Sequence, residues 1–463
     1  MKQYGAVILA AGKGTRMKSS YCKVLHPVCG RPMLAYVLDA VRSLNVNRVG
    51  IVIGHQAEEI LSRFDSVDLN FVKQEPQLGT GHAVKQCSGL FRNFDGHLLI
   101  ICGDTPLIKV ETLADFIRFH DEASSMISVL TTELANPFGY GRIVRGRNDH
   151  VAKIVEERDA DKFQRTIREI NTGIYIVESN LLFSLLDKVK ADNSQKEYYL
   201  TDVVAESNNL GVTVHGCRTN DPSVVLGINS RADLAVANAV MWDRIRSRIM
   251  LNGTTLLDPS SFYGDYGIEI GTDTTIYPNV VIAGTSAIGK DCVIEPGCLI
   301  SDSKIGDGVR ILLGSKIEGA EVDSGSSVGP MAHLRNGTKI AQNVRIGNFV
   351  EVKKTTIGTG TKAAHLTYLG DSRIGEDVNI GCGTITCNYD GKTKHPTIIE
   401  DRCFVGSDVQ FVAPVTIGSG SVIGAGSTIT KDVPPNSLAV SRPKQKMFPL
   451  RVGQGPASKH EDR

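Results

Sequence analysis

Three things are missing from this 463-residue chain, and each absence removes a class of protein. A charge imbalance is missing: 51 Lys and Arg stand against 50 Asp and Glu. Neither a nucleic acid nor an acidic membrane is therefore an expected partner. Long apolar runs are missing, since none approaches the ~20 residues that span a bilayer. No basic segment with an apolar core precedes the first strand either. Clustered cysteine is missing. The ten cysteines are scattered, with no C-x-x-C pair and no local Cys/His group, as in a protein whose thiols stay reduced. The expectation is a soluble cytoplasmic chain long enough for two or three domains.

What is there is a ladder of six-residue steps. Aliphatic residues recur at Ile270, Ile276, Ile282, Ile288, Ile294 and Ile300, then after a one-residue slip at Ile305, Ile311 and Ile317. A second slip leads into Val322, Val328, Leu334, Ile340, Ile346 and Val352, and a last run holds Val405, Phe411, Ile417, Ile423 and Ile429. Neither a helix nor simple alternation has this period. It is that of a β-helix. Three hexads make one triangular coil, with the aliphatic residue inside and Gly, Asp, Asn or Ser at the corners. At ~4.8 Å per coil, about nine coils give a prism ~40–45 Å tall. The ladder is expected to break at "KAAHLTYLGD" (362–371) and at "CNYDGKTKHP" (387–396), the second looping out of the prism.

The first half alternates strands and helices. "AVILAAG", "RVGIVIG", "LNFVKQ", "HLLIICGD" and "MISVLTTEL" read as strands, "MLAYVLDAVRSL" and "VETLADFIRFHD" as amphipathic helices. That pattern predicts a Rossmann-like α/β domain with a mostly parallel sheet, its ligands beyond the C-terminal strand ends. The expected boundaries are 1–228 for this domain, 229–250 for a helical arm, 251–437 for the β-helix and 438–463 for a polar, basic tail.

"LAAGKGTRM" (Leu9 to Met17) follows the first strand directly. Its glycines and alanines let backbone N–H groups approach phosphates, with Lys13 and Arg16 supplying charge. It is neither a P-loop nor G-x-G-x-x-G. With "KVLHPVCGRPML", "QLGTGHA", "GDTPLI", "GYGRI", "IVEERDA" and "EINTGIY" in this order, the half-chain resembles the sugar-1-phosphate nucleotidyltransferases. Joined to the hexad domain, the whole chain resembles the bifunctional N-acetylglucosamine-1-phosphate uridyltransferases/glucosamine-1-phosphate N-acetyltransferases. For that family the β-helix is left-handed.

The resemblance implies two sites. In the first, UTP uridylates N-acetylglucosamine-1-phosphate and pyrophosphate leaves, giving UDP-N-acetylglucosamine for peptidoglycan and lipopolysaccharide. Arg16 and Lys23 would neutralise the triphosphate, and Asp104 and Asn229 would hold Mg²⁺. Leu9, Ala10, Ala11, Gly12, Gln74, Gly79 and Thr80 would line the nucleoside pocket, and Cys102 and Gly103 would also bind substrate. Gly141, Glu156 and Asn171 would hold the sugar. In the second, acetyl-CoA acetylates glucosamine-1-phosphate, with His365 as base. Arg335, Lys353, Tyr368, Asn379 and Lys394 would bind the sugar phosphate, and Cys382, Asn388, Tyr389, Ser407, Ala425 and Arg442 the acetyl-CoA. The resemblance further implies a homotrimer whose loop reaches a neighbouring subunit.

Four positions depart from the family pattern. Cys102 stands for a Tyr, Cys22 for a Pro, Cys382 for a small Ala and Asn336 for a Pro. None removes a charged catalytic group. Three other readings compete. A ladder serving only as an oligomerisation scaffold would need neither His365 nor the 388–394 loop. A hexapeptide-type zinc hydratase would need a close histidine pair, which His333, His365 and His395 lack. A nucleotide-binding module without turnover would not need Arg16, Lys23, Asp104 and Asn229 together.

Overall fold

The structure, a computed structural model, describes residues 2–64 and 66–449. The chain forms two compact units, Met1–Ile245 and Arg246–Arg463. Of the expected tail, residues 450–463 lie outside the described residues.

In the first unit β1 (Tyr4–Leu9) leads, followed by a small hairpin of β2 (Pro27–Val28) and β3 (Arg31–Pro32), then β4 (Arg48–Ile53), β5 (Leu69–Lys73), β6 (His97–Cys102) and β7 (Ile127–Glu133). β8 (Arg142–Arg145) and β9 (Val151–Val155) form a hairpin, and β10 (Glu169–Glu178) and β11 (Val214–Arg218) complete the set. The main sheet runs β11-β7-β10-β6-β1-β4-β5. Its pairs are parallel except those of β10, which runs against both β6 and β7.

The strands are apolar on both faces because both faces are covered. Ala6 and Ile8 of β1 enter one core with Leu34, Val37, Leu38 and Val41 of α1 (Met33–Arg42). Val7 enters the other, with Leu98, Ile100 and Tyr175. The i, i+3, i+4, i+7 spacing on α1 is what places that stripe on the sheet. Burying each such side chain stabilises the fold by ~1.5–3 kcal/mol.

The second unit is a three-sided parallel β-helix whose faces are sheets of eleven, ten and nine strands among the described residues, somewhat taller than about nine coils. Every ladder residue from Ile276 to Val352 and from Val405 to Ile429 is buried, while Ile270 is half-buried. Corners fall where Asp and Asn take positive φ, as at Asp273, Asn279, Asp291 and Asn343, a conformation those side chains tolerate.

The expected break at 362–371 does not occur. Ile357, Ala363, Leu369, Ile374 and Ile380 are buried in ladder positions, and the strands Lys362–His365 and Tyr368–Gly370 pair with the coils on both sides. Two five-residue steps and a small Ala363 hid the period. The second interruption does leave the prism. Between the strands Ile385–Cys387 and Thr397–Ile399 the chain makes a hairpin, with Tyr389 bridged to Lys394 and His395 N donating to Asn388 O at 2.8 Å.

Candidate functional sites

A cavity of about 450 Å³ opens at the C-terminal ends of β1, β5 and β6. Leu9, Ala10, Ala11, Gly12, Arg16, Lys23, Gln74, Gly79, Thr80, Cys102, Asp104 and Asn229 line it, which brings together most of the residues expected there. At one side Lys23 Nζ donates to Asp104 Oδ2 and, at 2.8 Å, to Asn229 Oδ1. Arg16 Nη2 donates to the same Asn229 oxygen at 2.8 Å. Two hard oxygens and two cations thus converge on one spot.

Local structure explains each placement. Gly14 has φ +61° and a Cβ there would stand 2.8 Å from Lys23 Cβ, so only glycine lets the Arg16 turn close over Lys23. Asn229 is fixed by the start of the helix Arg231–Leu251. Asp233 Oδ2 accepts from Asn229 N and Ser230 N at 2.9 and 2.8 Å, while Ser230 Oγ accepts from Asp233 N at 3.2 Å. That is a reciprocal capping box. Gly79, at φ +112°, lies against Tyr198, and Thr80 Oγ1 accepts from Leu200 N at 3.0 Å.

Burial, and secondarily Asp104, pushes the Cys102 thiol up to about 12, so it faces the cavity neutral. Gly103 lies behind that wall, its N–H on Leu9 O at 2.9 Å. Gly141, Glu156 and Asn171 do not line the cavity but meet one another beside it. A Cβ on Gly141 would stand 3.5 Å from both Glu156 Oε1 and Asn171 Cβ, and one on Gly173 would stand 3.3 Å from Cys102 Sγ. Burial, reinforced by Asp202, Asp159 and Glu197, holds the Glu156 carboxyl above its ordinary range against the Thr201 hydrogen bond.

Gln77 and Glu197 are among the cavity residues that the sequence reading did not single out. Gln77 donates to Ala11 O at 2.8 Å and keeps a buried, unpartnered Oε1; its place inside "QLGTGHA" was the available signal. Glu197 had none, since pairing of Tyr198 N with Leu78 O at 2.8 Å brings it there from a distant stretch.

In the second unit His365 is exposed at the end of its strand, opposite Asn348 on the preceding coil. Its Nδ1 lies 2.9 Å from Asn348 Oδ1. An amide oxygen only accepts, so Nδ1 carries the proton and Nε2 the free lone pair. Asn348 had no sequence signal, because the register of two coils makes the pair. On the neighbouring face Arg335 Nη1 donates to Glu351 Oε1 at 2.7 Å, and Glu351 lies beside Tyr368 in register. Lys353 and Lys394 come side by side, Lys394 holding the Lys353 ammonium below its ordinary range, and Lys394 Nζ lies 3.9 Å from Asp371.

Asn388 Nδ2 donates to Asp371 and, at 3.5 Å, to Tyr368 Oη, while Tyr389 is exposed at the loop. Asn379 heads the strand paired to Lys362–His365. The four remaining expected residues stack along the coils. Asp408 N donates to Cys382 O at 2.7 Å, Gly426 N to Ser407 O at 2.8 Å, and Arg442 Nη1 to Ala425 O at 2.6 Å. No cluster of three His, Cys, Asp or Glu fit to hold a metal occurs among the described residues, and His333 and His395 are paired to Glu318 and Asp390. No helix among the described residues is long and apolar enough to cross a membrane.

Comparison with known proteins places both halves. Residues 6–170 match the MobA-like NTP transferase domain family, and residues 267–302 and 396–431 match the bacterial transferase hexapeptide (six repeats) family. The bifunctional protein GlmU of Geotalea uraniireducens is 51% identical over 446 residues, 96% of this chain and 98% of its own. That of Syntrophotalea carbinolica is 49% identical over 461 residues, 99% of each chain. A solved UDP-glucose pyrophosphorylase complexed with UDP-glucose overlaps 53% of this chain and all of its own, at TM-score 0.45 and 17% identity.

Proposed function

The chain belongs to the bifunctional GlmU family, and from that premise we propose how its two sites divide the work. It is a bifunctional enzyme that makes UDP-N-acetylglucosamine. The β-helix acetylates glucosamine-1-phosphate from acetyl-CoA, and the α/β domain then transfers uridylyl from UTP to N-acetylglucosamine-1-phosphate, releasing pyrophosphate. The proposed working parts are residues 1–228, the arm 229–250 and the left-handed β-helix 251–437.

Acetyl transfer needs a base for the amine proton as nitrogen attacks the thioester carbonyl. His365 Nε2 takes that proton, the Asn348 contact holding the ring in the needed tautomer. Arg335, Lys353 and Lys394, with Tyr368 and Asn379, bind the sugar phosphate. Asn388, Tyr389 and the Cys382–Ser407–Ala425–Arg442 column take the acetyl-CoA.

Uridylyl transfer brings several anions together, so positioning and charge neutralisation carry it. The sugar phosphate oxygen attacks the α-phosphorus and the bond to pyrophosphate breaks. Arg16 and Lys23 balance the charge that moves onto the leaving oxygens. Gly141, Glu156 and Asn171 hold the sugar, Leu9 to Gly12, Gln74, Gly79 and Thr80 the nucleoside. Asp104 and Asn229 would hold Mg²⁺. The support is their donor chemistry: two hard oxygens turned toward one cationic nitrogen, Lys23 Nζ, few enough for an ion that keeps phosphate and water ligands. When bound, the ion offsets phosphate charge.

A homotrimer is part of the proposal. Leu313, Met331, Phe349 and Leu366 are exposed and lie about one coil apart, ending beside His365. The last three hold positive φ, which costs bulky residues ~1–3 kcal/mol. Burying this apolar corner against a second copy would offset that strain and complete the His365 site at a subunit boundary. Co-substrates such as UTP and acetyl-CoA support a cytoplasmic location.

The observation that carries the reading is the convergence of Arg16, Lys23, Asp104 and Asn229 in one cavity of a chain that also presents His365 on Asn348. Mass spectrometry of a mixture of chain, Mg²⁺, glucosamine-1-phosphate, acetyl-CoA and UTP tests it. UDP-N-acetylglucosamine is expected, and none when acetyl-CoA is withheld. Product without acetyl-CoA, or none with it, overturns the reading.

A further inference from the structure

We propose that Glu157, acting through Arg142, is a positioning residue that sets the turn at Gly139–Gly141 and thereby the affinity of the uridylyl-transfer site for its sugar phosphate. This rests on the reading of Gly141 as a sugar contact. Glu156 and Glu157 are adjacent at the end of β9, and they do different things. Glu156 meets Thr201 Oγ1 at 3.4 Å and lies against Gly141. Glu157 turns away, to the back of the turn.

There its Oε2 accepts from Arg142 Nη2 at 2.6 Å and from Gly139 N at 3.1 Å. Arg142 Nη1 in turn donates to Tyr140 O. One carboxylate and one guanidinium thus grip the turn at successive backbone groups, while Asn171 N holds Gly141 O from the far side at 2.9 Å. Arg142 is 2% exposed. A charge that deep is kept only with its partner, and removing the partner leaves it unpaired. Arg165 backs the pair, 3.8 Å from Glu157 Oε1.

Gly139 has φ +88° and nothing within 4 Å of where a Cβ would stand, so side-chain packing does not fix that end of the turn; the Glu157 contact to Gly139 N does. Losing it frees the Gly139–Tyr140 end of the turn that leads into Gly141, which weakens sugar binding and leaves the triphosphate groups at Arg16 and Lys23 in place.

The test is steady-state pyrophosphate release by the full chain with Glu157→Ala, Glu157→Gln and Arg142→Lys. Loss of a charge-assisted bond of this kind corresponds to about tenfold. Glu157→Ala is therefore expected to raise KM for N-acetylglucosamine-1-phosphate about tenfold, with kcat and KM for UTP within about twofold. Glu157→Gln, whose amide oxygen still accepts from Gly139 N and Arg142, should recover most of the loss; Arg142→Lys, without the fork, should not. Unchanged kcat for pyrophosphate release and unchanged KM for UTP in the same preparations report that the α/β unit, which carries Glu157 and Arg142, is folded. If Glu157→Ala does not fold, the contrast between Glu157→Gln and Arg142→Lys decides. Equal rises in both KM values, or none, overturn the proposal. A wild type that does not use N-acetylglucosamine-1-phosphate overturns instead the reading on which it rests.

Discussion

Single residues in this protein act through neighbours that are remote in sequence. Lys23 reaches Asp104 and Asn229 across 81 and 206 residues, and it is held in place by the absence of a side chain at Gly14. Gly14→Ala adds a Cβ 2.8 Å from Lys23 Cβ at φ +61°, a strain of ~1–2 kcal/mol. It is expected to raise KM for UTP several-fold and leave thiol release unchanged, read by the two product assays. Buried histidines give a pH dependence of folding. His120 Nε2 lies 2.9 Å from His97 Nδ1, and its Nδ1 2.8 Å from Ser128 Oγ. Burial and then the His97 neighbour lower His120 to about 3. The unfolded chain therefore binds a proton near pH 6.5 that the folded chain refuses. Stability is full above that pH and falls as pH drops from about 6.5 toward 3. The melting temperature of wild type should drop accordingly, and His120→Asn should flatten that slope.

At the scale of the element, the hexad ladder was legible because its period is written directly in aliphatic residues, each of which faces inward. The coils from Ile357 to Ile380 were not, since Ala363 is small and the polar His365 and Tyr368 occupy their strands. The β8–β9 hairpin also escaped, its strands being short and β8 carrying Arg at both ends. The loop at 387–396 was legible from its polar and turn residues. Of the residues that a motif carries, Arg16, Lys23, Asp104 and Asn229 come together at one cavity, and His365 stands exposed beside Asn348. Asn348 and Glu197 could not be read, because a partner made by coil register or by a cross-chain strand contact leaves no mark in local sequence. The core of a coil has a testable cost. Phe411 is fully buried, so Phe411→Ala should cost ~3–5 kcal/mol. Repeat stability is shared with nearest neighbours, so loss of acetyl transfer on warming should precede loss of uridylyl transfer in that variant.

At the scale of the whole molecule, two units of unlike architecture carry two unlike chemistries. In the proposed reading, phosphoryl chemistry sits at the C-terminal ends of parallel strands, and proton transfer sits on a prism whose coils set side chains at fixed register. The claim that both are active sites meets its sharpest challenge in turnover by one preparation and its His365→Ala variant. One arm follows free thiol from acetyl-CoA with glucosamine-1-phosphate, the other pyrophosphate from UTP with N-acetylglucosamine-1-phosphate. Wild type is expected to release both, and the variant to lose thiol release by ~10²–10⁴-fold with pyrophosphate release intact. A wild type that releases pyrophosphate but no thiol would make the β-helix a scaffold and the chain an enzyme with one activity.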